Sequence, residues 1–147
     1  MEEAAPYATT DTLLPFLQTV PLLAGLPPAL LRELAETARY LELPAGEALL
    51  RQGDEGDALY IILDGCLEAR EELRDGTHRV LGSAGRGEVV GEMAVLSGDP
   101  RSCAVVAVRE SSVLRLGRDD FQRILSQHPA QLFPIVKQII RRASAGP

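Results

Sequence analysis

Residues 58–83 read ALYIILDGCLEAREELRDGTHRVLGS, and their rhythm decides the fold. Ala58 to Leu63 is an almost unbroken apolar run, the pattern of a strand covered on both faces. Beyond Gly65 the pattern becomes alternation, with Leu67, Ala69 and Leu73 interleaved with Glu68, Arg70, Glu72 and Arg74. Successive side chains of a strand point to opposite sides, so this segment is expected to bury one face and solvate the other. Asp75-Gly76 then supplies the positive φ values of a tight hairpin, which returns Thr77 to Ser83 antiparallel.

The same rhythm extends outward from Tyr40 to Gly117, in short strand-like runs punctuated by glycine. Cys103 to Val108 and Ser112 to Leu116 read as two further strands around a polar corner. Many short strands without interleaved helices point to a closed or double-sheet antiparallel roll. Helical periodicity flanks the roll. Leu13, Leu14, Phe16 and Leu17 form a short apolar face, and Pro27 and Pro28 open a helix that segregates Leu30, Leu31, Leu34, Ala35 and Ala38 from Arg32, Glu33 and Glu36. After Gly117, a helix is expected to turn Phe121, Ile124 and Leu125 inward. Pro129 ends it, and a last helix runs from about Ala130 to Ala143 with Pro134 in its first turns.

Composition narrows the functional classes. At 147 residues the chain fits one domain. A formal net charge of -6 argues against a nucleic-acid surface, since neutralising phosphates takes clustered Lys and Arg. The one basic cluster, Lys137, Arg141 and Arg142, sits where a helix C-terminus favours cations. Cys66 and Cys103 lack CxxC spacing and are expected to be buried, inert thiols. The acidic N-terminus has no signal-peptide pattern, and no apolar run reaches membrane-spanning length, so a cytoplasmic location without membrane attachment is expected. With only His78 and His128 present, both expected to be solvated, no metal site is expected; no Ser or Cys has a base and an orienting acid around it. An enzyme is not expected.

Gly91 to Ala104, GEMAVLSGDPRSCA, concentrates the chemistry. Gly91 lets the backbone bend toward a ligand, Glu92 to Leu96 suits one helical turn, and Ser97-Gly98-Asp99-Pro100 can carry the chain back. Arg101 would then arrive near Glu92. A guanidinium binds phosphate oxygens in a planar fork, and a carboxylate beside a phosphate needs its own donor, which a ribose 2′-hydroxyl supplies. The pair therefore reads as nucleotide-binding.

These residues resemble the cyclic nucleotide-binding domains of catabolite activator proteins, protein kinase A regulatory subunits and cyclic-nucleotide-regulated channels. The resemblance rests on Gly91-Glu92-Met93-Ala94 and Pro100-Arg101-Ser102-Cys103, supported by Pro44-Ala45-Gly46-Glu47, Gln52-Gly53-Asp54, Leu59-Tyr60-Ile61-Ile62 and Asp64-Gly65. It implies a mainly β fold with flanking helices: an eight-stranded antiparallel double-stranded β-helix, or jelly roll, with N-terminal helices and C-terminal lid helices. The implied organisation is a partly disordered or helical leader over 1–18 and one domain over 19–144, helical to 39, a roll over 40–117 and C-terminal helices from 118. Residues 1 to about 12 in particular read as poorly ordered.

The resemblance assigns Glu92 to the ribose 2′-hydroxyl and Arg101 to the cyclic phosphate. Gly91, Met93, Ala94, Ser102 and Cys103 match ligand-contacting positions; Val80, Leu81 and Val89 fall near the base pocket, and Arg142, or Arg141 instead, falls over the base. Val90 stands where the family usually has an aromatic residue, and Ser102 leaves cAMP against cGMP open. The implied function is a regulatory sensor for cAMP, or for cGMP, with no cofactor besides that ligand and with ligand-driven movement of the C-terminal helix. No helix-turn-helix, kinase-inhibitor or channel segment appears in the sequence, so the signal is expected to pass to a separate effector protein or through a homodimer of the C-terminal helices. The alternative is a nucleotide-independent interaction domain of the same fold.

Overall fold

A computed structural model describes residues 2–3 and 10–144 of the chain. Among the described residues nine strands pair antiparallel in two sheets: β1 (Glu2–Glu3), β2 (Arg39–Leu43), β3 (Ala48–Leu50), β4 (Ala58–Asp64), β5 (Cys66–Glu72), β6 (His78–Gly85), β7 (Val89–Val90), β8 (Ala104–Ala107) and β9 (Ser111–Gly117). One sheet has the order β1-β2-β9-β4-β7 and the other β3-β8-β5-β6. The chain passes repeatedly between sheets, which is the double-sheet roll that the glycine-punctuated rhythm foretold and the jelly roll that the resemblance implied. Helices α1 (Thr10–Leu17) and α2 (Pro28–Thr37) precede the roll, and α3 (Arg118–Ser126) and α4 (Pro129–Ser144) follow it.

The apolar run of β4 is explained by two cores. Leu59, Ile61 and Leu63 face the helices, among Leu17, Leu34, Phe121 and Ile139. Ala58, Tyr60 and Ile62 face the opposite sheet, among Leu67, Val105 and Val113. A strand buried on both sides cannot alternate polar and apolar residues. The turn between β5 and β6 is held by Asp75, whose carboxylate accepts from the Thr77 amide at 3.0 Å and from its hydroxyl at 2.6 Å. Those two donors favour the charged form and lower the Asp75 pKa from its ordinary value.

Several expectations are corrected. Glu2 and Glu3 pair with Glu42 and Leu41, adding a strand at the edge of the roll, and α1 starts at Thr10 and sends Leu13 and Leu17 into the core shared with α2. The expectation of poor order up to about residue 12 thus falls on a span in which Glu2–Glu3 are strand and Thr10 onward is helix; residues 1 and 4–9 lie outside the described residues. Leu73 is 40% exposed, because β5 ends at Glu72 and Leu73 enters the hairpin loop, where its amide and carbonyl bond Thr77 and Gly76. Both cysteines are free and half-buried rather than buried. The last helix begins at Pro129, one residue before the expected start. No described helix is long and apolar enough to cross a membrane.

Candidate functional site

Gly91 closes β7 with φ 75°, in the left-handed region where a side chain costs about 1–2 kcal/mol. It caps a 3-10 turn over Glu92–Val95, the short helical turn expected from the composition. The space at Gly91 is also taken, since a Cβ there would lie 2.6 Å from Arg101 Nη1 and 3.3 Å from the Ala58 carbonyl oxygen. The glycine thus sets both the turn and the berth of the arginine.

Arg101 is clamped at its backbone. Its amide donates to the Asp54 carbonyl at 2.7 Å, and its carbonyl accepts from the Gly53 amide at 2.8 Å. Its side chain is only 8% exposed. Nη2 donates to the Ala58 carbonyl at 2.6 Å and Nη1 to the Gly91 carbonyl at 3.3 Å, while Asp57 stands 3.9 Å from Nη2 and shares its other oxygen with Arg115 at 3.2 Å. Arg101 Nε is buried without a hydrogen-bond partner among the described residues. A buried donor left in that state costs about 1–3 kcal/mol.

That arginine lines a cleft of about 750 Å³ between the 3-10 turn, the 97–103 loop and the inner faces of β5, β6 and β8. The volume suits a nucleotide-sized ligand, since small-molecule sites run about 300–1,000 Å³. Of the residues expected at the site, Gly91, Glu92, Met93, Arg101, Ser102, Cys103, Leu81 and Val89 line this one cleft. Glu92 opens the turn half-buried, so a carboxylate and a guanidinium share one wall of the cleft. Cys103 sits beside them, and burial pushes its thiol up from the ordinary value against weaker opposition from the Ser102 hydroxyl and Arg101. It is a thiol at neutral pH, not a thiolate.

Val80 is not brought to the cleft. It is 53% exposed and pairs with Arg70, while Ala69 pairs with Gly82, so Leu81 is an extra residue bulged into β6 and reaches the cleft where its neighbour does not. Ala94 lies within the 3-10 turn and Arg142 within α4, but their side chains lie outside the described residues. Among the described residues none from α3 or α4 lines the cleft. Sequence reasoning missed Glu88, Ser97 and Asp99 on its rim and Leu50 and Val105 in its wall. For Val105 the signal was present, because it continues the strand after the cassette; Glu88 gave none.

The site is thus a nucleotide-sized cleft in a double-sheet roll, walled by a clamped arginine. The family described as Cyclic nucleotide-binding domain matches residues 40–128, and the chain belongs to it. A cAMP-dependent protein kinase regulatory subunit from Emericella nidulans is 39% identical over 110 residues, covering 75% of this chain and 26% of that protein. Among solved structures, the regulatory subunit of a cAMP-independent protein kinase A from Trypanosoma brucei, as a mutant bound to cAMP, is similar with a TM-score of 0.78 and 29% identity, over 94% of this chain and 48% of that one. The regulatory domain of Toxoplasma gondii PKA with cAMP gives a TM-score of 0.73 and 30% identity, over 82% and 46%. The chain spans about a quarter of the length of the kinase regulatory subunits it matches.

Proposed function

We propose that this chain is a non-catalytic regulatory sensor that binds a cyclic nucleotide monophosphate, with cAMP preferred over cGMP. The observation that carries the reading is Arg101, buried, backbone-clamped and one donor short at the end of a nucleotide-sized cleft. Once the guanidinium turns into the cleft, a cyclic phosphate oxygen would satisfy Nε and replace the long 3.3 Å bond to Gly91, each charge-assisted bond contributing about 1.5–3 kcal/mol. Glu92 takes the ribose 2′-hydroxyl, whose proton answers the carboxylate that would otherwise repel the phosphate. Leu81 and Val105 give the base an apolar wall, while the side chain of Val89 packs with Ile61 in the helix-side core. The regulatory domain of Toxoplasma gondii PKA with cAMP, among the similar structures, supports the same ligand.

The signal passes through α4. The 3-10 turn touches both α3 and α4, so a ligand that tightens the turn biases where the last helix rests, and Arg142 caps the base when that helix closes. The output goes to a separate effector protein or a homodimer through the C-terminal helices, in the cytoplasm and with no cofactor besides the nucleotide. One observation favours the alternative of a nucleotide-independent interaction domain: both terminal nitrogens of Arg101 already have carbonyl partners. Displacement of a fluorescent cAMP analogue by cAMP, cGMP and 5′-AMP separates the two. Displacement by cAMP ahead of cGMP, with 5′-AMP weak, is expected; failure of the analogue to bind stripped protein overturns the proposal. Arg142→Ala should weaken binding several-fold, and unchanged affinity removes Arg142 from the site.

A further inference from the structure

Helix α4 carries a surface that the nucleotide cleft does not use. Ile135 and Ile139 fasten it to the core, but Leu132, Phe133 and Ile140 are 49%, 71% and 53% exposed. Beside this stripe a groove of about 250 Å³ runs between α3 and α4, floored by Phe121 and Leu125 and closed at one end by Leu96, just past the 3-10 turn. Its walls are almost wholly apolar, with Gln122 and Ser126 the polar residues on them. Exposed apolar residues gathered beside a groove mark an interaction site, whereas singly scattered ones do not.

The charge of the helix says what kind of partner fits. In a chain of net charge -6, the segment Pro129–Ser144 holds Lys137, Arg141 and Arg142 and no acidic residue. Lys137 lies 5.8 Å from the centre of the Phe133 ring, so the cation borders the apolar stripe directly. A second copy is a poor occupant. Phe133 and Ile140 flank Lys137, so an antiparallel pairing of two such stripes sets Lys137 against its own copy, and a parallel pairing sets every cation beside its mate. Either way α4 offers itself no carboxylate. An anionic bilayer would meet the same cations, but the net acidity of the rest of the chain opposes its approach.

We propose that the α3–α4 groove and the exposed face of α4 dock an amphipathic helix of another protein that presents a large apolar side chain to the groove and Asp or Glu residues to Lys137 and Arg141. Helix-in-groove recognition takes anchors at i, i+3 or i+4 and i+7 of the docked helix, a rise of about 10 Å, and Leu132 to Ile140 spans about 12 Å of α4, long enough to seat them. The inference rests on the reading of a module that signals through its C-terminal helices, and it supplies the chemistry of the effector.

The test is selection from a displayed library of helical peptides with a fixed leucine seam and randomised flanks, using the full chain as bait. Enriched peptides should carry an excess of Asp and Glu, and their affinity should fall with added salt. It should also fall about tenfold or more for Phe133→Asp and for Lys137→Glu, the loss typical of a central anchor. Both positions are solvent-facing, and measuring cyclic nucleotide binding on the same variants keeps failure of the sensor reading distinct from failure of this one. No enrichment that depends on Phe133, or enrichment of basic flanks, overturns the proposal. So does sedimentation showing a wild-type dimer that Phe133→Asp dissociates, or flotation with phosphatidylserine vesicles that Phe133→Asp abolishes.

Discussion

Replacing Gly91 with alanine isolates the device on which the site depends. The backbone there sits at φ 75°, so any side chain costs about 1–2 kcal/mol. The new Cβ would also lie 2.6 Å from Arg101 Nη1 and 3.3 Å from the Ala58 carbonyl oxygen. The carbonyl belongs to β4 and cannot yield, so the guanidinium must move, which gives up the 3.3 Å bond to Gly91 and disturbs the 2.6 Å bond to Ala58. Gly76 provides the control: at φ 87° it has nothing within 4 Å of its would-be Cβ, so Gly76→Ala bears the backbone cost alone. Both variants should melt lower, by about 2–4 °C per kcal/mol for a chain of this size. Only Gly91→Ala should lose cyclic nucleotide affinity, by about tenfold or more, because one lost charge-assisted bond is worth at least that much. Thermal melts followed by fluorescent-nucleotide titration read both quantities. If Gly91→Ala binds as tightly as Gly76→Ala, the claim that this glycine berths the phosphate-binding arginine is wrong.

Two further outcomes follow from the geometry. Leu81→Asp should weaken nucleotide binding while Val80→Asp leaves it unchanged, since the bulge brings only Leu81 to the cleft; equal effects in a fluorescence titration would contradict the register. Cys103 should react slowly with iodoacetamide at neutral pH and faster as pH rises toward and above its ordinary value of 9.0, because burial holds it as the thiol, and bound nucleotide should protect it. Fast labelling at neutral pH, followed by mass spectrometry with Cys66 as the internal reference, would show that the thiol is not desolvated.

The roll was legible because its signals are local. Asp75-Gly76 marks where the chain turns back, although only Gly76 takes a positive φ and the loop runs over 73–77 rather than two residues, and the unbroken run from Ala58 to Leu63 declares a strand between two cores. The cassette was legible because Gly91, Glu92 and Arg101 fall within one short stretch, so their convergence needs only one turn and one loop. What escaped was set by pairing across long separations. The bulge at Leu81 depends on how β6 registers with β5, and neither strand announces it. Glu2 and Glu3 carry no strand signal; they are held by pairing with β2, far along the chain. The partners of Arg101 were equally hidden, since the Ala58 carbonyl that accepts from it is a backbone atom, and no side chain marks such an atom in a sequence. That no described residue of α4 lines the cleft was hidden too: its apolar excess could have covered a pocket or a partner, and amphipathicity alone does not choose.

Titration calorimetry of protein stripped of bound nucleotide, with cAMP and cGMP on wild type and Arg101→Ala, goes to the heart of the matter. Wild type should bind cAMP more tightly than cGMP, and Arg101→Ala should lose about tenfold to a hundredfold or more, one to two charge-assisted phosphate bonds. A wild type that gives no heat with either nucleotide and fails to bind them by equilibrium dialysis, or an Arg101→Ala variant that binds cAMP as wild type does, would contradict the assignment of this cleft to a cyclic phosphate.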